Sequence, residues 1–159
     1  LSILAIKKAK QVHLRHPALS FPLDMEWLAS VEGCECITWP FIEPVKEVKQ
    51  GRWIGIALEL DITERRFLIA HALGHHLMHC GNQLTFCSWQ KSSLRQQENN
   101  ADCCAAHILM PEEELIKVEN LPLCEIIEYF GVPEDLCQKR MSDFATAAET
   151  ERWQNNSFV

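Results

Sequence analysis

The chemistry of this chain concentrates in one run, His71-Ala72-Leu-Gly-His75-His76-Leu-Met-His79, followed further along by Glu98 and Asp102. Two imidazoles four residues apart on a helix lie about 6 Å apart along one face, so both can turn toward a single ion. His79 is two turns from His71, about 12 Å, whereas Zn–N bonds are ~2.0–2.1 Å, so the three cannot share one tetrahedral ion. A third ligand must come from another element. The segment Glu98-Asn-Asn-Ala101-Asp102-Cys-Cys-Ala105-Ala106 offers one. Glu98, Ala101, Asp102 and Ala105 share a helical face, and the alanines permit close approach to the histidine helix. Glu98 is the expected third ligand, and Asp102 the acceptor that fixes a ligand histidine's tautomer. The exchanged assignment, with Asp102 as ligand, stays open.

Two imidazoles and a carboxylate suit one Zn2+ per chain, with Mn2+ as an alternative divalent ion. Histidines spaced by four are common in helices and usually find ordinary partners. Here four of them sit in an apolar helix that precedes a carboxylate on a small-residue face, and so many polar groups in apolar surroundings need a common partner. His76 and His79 are candidate auxiliary groups for an oxyanion or a proton, although each could equally bond a backbone carbonyl.

These side chains need a scaffold. Asp61 to Glu64 reads as a capping box, Gly81 as a helix stop, and Phe67, Leu68, Ile69, Ala70, Leu73, Leu77 and Met78 make the helix between them apolar nearly all round. Such a helix must be buried. A second helix is predicted over 93–110, stopped by Pro111. Upstream, helices are expected over 3–15 and 24–31, and strands over 35–39 and 52–58, rich in β-branched and aromatic residues. Downstream come a short helix over 123–130, a turn at Gly131 and helical pattern from 134. The predicted fold is α+β: a small antiparallel sheet flanking a buried, zincin-like metal-binding helix, with a helical C-terminal part. Residues 1–110 would form the core and 111–159 a helical segment packed on it, in one compact domain.

The run from Arg66 to Gly81, the Glu98 to Ala106 segment and the Leu109-Met-Pro111 stop together resemble the ImmA/IrrE family of bacterial zinc peptidases. Ile127-Glu-Tyr-Phe-Gly131-Val resembles that family's C-terminal segment, so recognisable motifs cover about residues 50–140. The resemblance implies a cytoplasmic endopeptidase that cleaves a helix-turn-helix repressor and so induces genes of a mobile element or a stress response. Carried over, it makes His71, His75 and Glu98 the metal ligands.

One position departs from the pattern: the family has His-Glu-x-x-His, and here Ala72 stands where the Glu belongs. That Glu passes a proton from the attacking water to the leaving amine, which a methyl group cannot do. General acid–base catalysis contributes ~10²–10⁴-fold, so the chain is expected to hold metal while being catalytically impaired. The alanine is either an introduced substitution or the mark of a natural pseudoenzyme, and the intact remainder of the motif favours the first. A non-catalytic zinc-containing module that sequesters a repressor or antitoxin is the alternative function.

Bulk properties narrow the partners. The 159 residues are 47% hydrophobic and 23% charged, a globular composition, with no apolar run near the ~18 residues of a membrane span. The opening residues read as an amphipathic helix and not a signal peptide. Of the eight cysteines, Cys103 and Cys104 lie in a helical pattern and Cys124 and Cys137 where core residues belong. Neither Cys34-x-Cys36 nor Cys80 with Cys87 has the C-x-x-C spacing of structural zinc. Reduced thiols in a cytoplasmic protein are expected. Residues 1–110 carry eleven acids and eleven bases, residues 111–159 eleven acids and four bases, so the net charge of -7 belongs to the C-terminal end. That surface repels phosphate, which argues against direct nucleic-acid binding and against reading 123–141 as a DNA-binding helix-turn-helix. His13 and His16 are expected to be solvated, and His107 to stand apart from the metal.

Overall fold

The computed structural model describes residues 2–78 and 91–156. Helices α1 (Ile3–Arg15) and α2 (Met25–Val31) lead into strands β1 (Glu35–Trp39), β2 (Glu47–Gln50) and β3 (Trp53–Ala57). Helices α3 (Ile62–Leu77), α4 (Lys91–Leu109), α5 (Glu112–Val118), α6 (Leu123–Phe130) and α7 (Glu134–Asn156) follow. The fold class is α+β, mostly helical with one small sheet.

The sheet corrects the expected pairing. Its order is β1-β3-β2, with β1 parallel to β3 and only β2 antiparallel to it. The two strands legible in the sequence are therefore the parallel pair, and the antiparallel partner is the polar Glu-Val-Lys-Gln stretch. Gly51, at φ +58°, turns β2 tightly into β3, and β1 takes the remaining side of β3. Paired residues share a face, so Ile54 and Ile56, both fully buried, define an inner face that also carries Cys36, Thr38, Glu47 and Lys49.

The inner face packs on α3, which also contacts α1, α2 and, most extensively, α4. Ile69, Ala70, Ala72 and Leu73 of α3 join Ala5, Ala9 and Val12 of α1 and Cys104, Ala105 and Ile108 of α4 in one core cluster. The Asp61 cap forms half of the expected box. Its carboxylate accepts hydrogen bonds from the Thr63 backbone N–H at 3.1 Å and from the Thr63 hydroxyl, while Glu64 instead receives Lys46 Nζ at 2.7 Å. Met78 caps the other end through its N–H to Gly74 O at 3.2 Å; Gly81, the expected stop, lies outside the described residues.

Two further expectations need correction. Cys124 is exposed, because the buried side of α6 is formed by Ile126 and Phe130. His13 and His16 are partly buried and bonded: His13 Nε2 lies 2.9 Å from Ile108 O, and His16 Nε2 lies 2.8 Å from Glu32 Oε1. Helix α5 has no counterpart in the sequence reading.

The described cysteines, Cys34, Cys36, Cys103, Cys104, Cys124 and Cys137, are all free thiols; Cys80 and Cys87 lie outside the described residues. Burial pushes the thiols of Cys36 and Cys137 up to about 11 and that of Cys104 to about 12. No helix among the described residues is long and apolar enough to cross a membrane.

Candidate metal centre

The approach of α4 to α3 is set by small residues. A Cβ on Gly74 would lie 3.0 Å from Ala101 O, 3.2 Å from Cys104 Cβ and 3.3 Å from Ala101 Cα, so only glycine fits this contact without movement. With the helices this close, Glu98, one turn before Ala101, reaches the histidine face of α3.

Three donor atoms converge there. His71 Nε2 and His75 Nε2 are 3.1 Å apart, Glu98 Oε2 is 3.2 Å from His71 Nε2, and Glu98 Oε1 is 3.3 Å from His75 Nε2. Donors on ~2.0 Å bonds to a tetrahedral ion stand about 3.3 Å from one another, so the present separations fit a zinc-sized ion. Among the described residues, these three form the group able to hold a metal. The two histidine side chains are 11% and 3% exposed and that of Glu98 39%, so the histidines are buried while part of the glutamate side chain reaches solvent.

Asp102 stands behind the donor set. His71 Nδ1 donates to Asp102 Oδ1 at 2.8 Å, which leaves His71 Nε2 as the atom facing the cluster. Burial works against charge on both imidazoles. On His71 the hydrogen bonds to Asp102 and Glu98 overcome it and carry the group up to about 10. On His75 burial, reinforced by the neighbouring charge of His71, carries it down to about 4.

The other candidate residues are placed differently. Ala72 is fully buried in the core cluster. His76 Nε2 lies by the turn before β1, 3.7 Å from where a Gly33 Cβ would be. His79 lies outside the described residues. His107 hydrogen-bonds through Nδ1 to the Cys103 carbonyl at 2.9 Å and is not in the cluster. One nearby carboxylate was missed by sequence reasoning: Glu47, on the inner face of β2, whose charge acts on both His71 and Glu98. Its signal was weak, a polar alternation of four residues ahead of a glycine turn.

A small mixed sheet laid on a helix with two histidines four apart, completed by a carboxylate from the next helix, is the architecture of a metallopeptidase-like domain. Residues 43–142 match the Peptidase_M78 model, described as the IrrE N-terminal-like domain, and the chain belongs to that family. Among solved structures, one described as a Mycobacterium tuberculosis transcriptional regulator shares the fold with a TM-score of 0.63 at 14% identity. The match covers 84% of this chain and 44% of that one, so the present chain spans less than half of that structure's length. No curated protein matches the sequence.

Proposed function

We propose that this chain is a zinc-dependent endopeptidase unit acting in the cytoplasm on a helix-turn-helix repressor, with its proton chemistry impaired by Ala72. The observation that carries this reading is that, among the described residues, three donors converge and not four. Structural zinc is closed by four protein ligands, whereas three leave one position for a substrate atom. His71, His75 and Glu98 would hold the ion, and Asp102 would keep His71 turned toward it. A zinc ion held there would polarise the scissile carbonyl and make water a stronger nucleophile. Strand β2 is an edge of the sheet and packs on α3, so an extended peptide added along that edge would lie beside the donor set. The family membership supports a protein substrate, and the fold neighbour's description as a transcriptional regulator is compatible with work in gene control.

The second reading, a zinc-containing module that binds a repressor or antitoxin without cutting it, is favoured by Ala72 itself. Restoring the carboxylate separates the two. A Glu introduced at the buried position 72 would be desolvated, which raises its pKa toward neutrality and suits a general base. Incubated with helix-turn-helix repressors encoded beside its gene, Ala72→Glu is expected to cut one of them faster than the parent, by up to about 10²–10⁴-fold, with chelator abolishing the difference. Cutting by neither form would support the binding module.

A further inference from the structure

We propose that Glu47, on edge strand β2, is the carboxylate that handles the proton in this chain, the role that Ala72 leaves vacant. The inference rests on the peptidase reading above and deepens it.

Two observations place Glu47. It pairs with Ile56 in the β2–β3 register, and Ile56 is fully buried, so the Glu47 side chain projects from the inner face of the sheet, toward α3. Strand β2 packs directly on α3, the helix that carries His71 and His75. In keeping with that placement, the charges of Glu47, His71 and Glu98 act on one another. It is nevertheless outside the donor group, whose ligand atoms all lie within 4.8 Å of one another. A carboxylate beside the site but outside its ligand set can accept a proton there, and Asp102, the other such carboxylate, is engaged by His71 Nδ1.

The groups facing Glu47 suit that task. His71, Glu98 and Lys49 are the charged groups that act on it. Lys49, two residues on and on the same inner face, donates through Nζ to Gly51 O at 2.7 Å, so its charge is anchored near the turn. In hydrolysis, one proton of the attacking water passes to a Glu47 carboxylate oxygen as the water oxygen bonds to the carbonyl carbon. The C–N bond then breaks and the same proton passes to the leaving nitrogen. Glu47 ends ionised, as it began.

Acetohydroxamate provides a probe independent of substrate identity, because it binds an open zinc position and gives up its hydroxyl proton to a neighbouring base. Calorimetric titration of zinc, then of acetohydroxamate into the zinc-loaded protein, should be run on the parent, Glu47→Gln, Ala72→Glu and the double variant. The expected result is that Glu47→Gln retains zinc affinity within about threefold but loses acetohydroxamate affinity about tenfold or more, the scale of one charge-assisted hydrogen bond. Ala72→Glu in the Glu47→Gln background should restore the loss, which a merely structural role for Glu47 would not allow. Repressor cleavage by the parent, where observed, should fall with Glu47→Gln in parallel.

Equal acetohydroxamate binding by the parent and Glu47→Gln, both zinc-loaded, would overturn the assignment while leaving the metal centre intact. Zinc binding lost in Glu47→Gln would also overturn it, by making the residue a ligand or a structural support. Failure of the parent itself to bind zinc would remove the peptidase reading and this inference together.

Discussion

At the scale of single residues, the histidines divide by how far away their partners lie. His71 and His75 were legible because their partners are each other and a carboxylate one helix away, and helical periodicity alone brings them to one face. His16 was not, because its partner is Glu32 on another element, and nothing local in the sequence joins them. Glu32 receives His16 Nε2 at 2.8 Å and Arg15 Nη2 at 2.6 Å, and its side chain is only 7% exposed. Despite its burial, these two partners hold the carboxyl below its usual value of 4.5. A carboxylate depressed in the folded state stabilises the fold above its unfolded pKa and loses that contribution as pH falls through the folded value. Glu32→Gln is therefore expected to lower unfolding free energy by about 1–2 kcal/mol at neutral pH, less than a fully buried pair because Arg15 is half-exposed. The deficit should vanish progressively below pH 4.5, as the parent's own carboxylate protonates. Denaturant titrations at several pH values would measure it, and a deficit that persisted unchanged into strong acid would deny the carboxylate this role.

At the scale of elements, the strongly patterned segments were legible and the polar ones were not. The first helix, the buried metal helix and the strands over 35–39 and 53–57 carry enough apolar periodicity to declare themselves. Strand β2 carries none: its inner-face residues are Glu47 and Lys49, tolerable only because it is an edge beside a polar site. Missing β2 meant missing both the mixed character of the sheet and the carboxylate it presents. Gly74 shows the same limit from the other side, since a glycine inside an apolar helix gives no sign of what lies against it. Replacing it by alanine would gain up to ~1 kcal/mol of helix propensity. The added methyl would meet Ala101 backbone at 3.0 and 3.3 Å, and backbone cannot turn aside as a side chain can. Overpacking of this kind costs about 1–3 kcal/mol and should win. Gly74→Ala is thus expected to lower the denaturation midpoint and to weaken zinc binding, by pushing Glu98 away from the histidines. A more stable variant with unaltered zinc affinity would show that the α3–α4 spacing has slack.

At the scale of the whole molecule, the chain joins a small site-bearing scaffold to an acidic helical end. That end is tied to the scaffold by arginines: Arg140 of α7 is buried and donates to Met110 O at 3.1 Å, while Arg66 of α3 donates to Leu23 O at 3.0 Å and to Gly131 O. Arginines that bond backbone carbonyls of distant segments cannot be recognised from composition, so the contacts that tie the C-terminal part to the core were not legible. The account as a whole depends on one arrangement, an ion held by two imidazoles and a carboxylate with no thiolate among its ligands. X-ray absorption at the zinc edge, on protein loaded with one equivalent of zinc, examines that arrangement directly. The expected spectrum contains only nitrogen and oxygen neighbours at about 2.0–2.1 Å, two of them imidazole, in a four-coordinate shell. Sulfur scattering at about 2.3 Å would place the zinc on cysteines, and with it the histidine–glutamate centre would lose its claim to be the metal site.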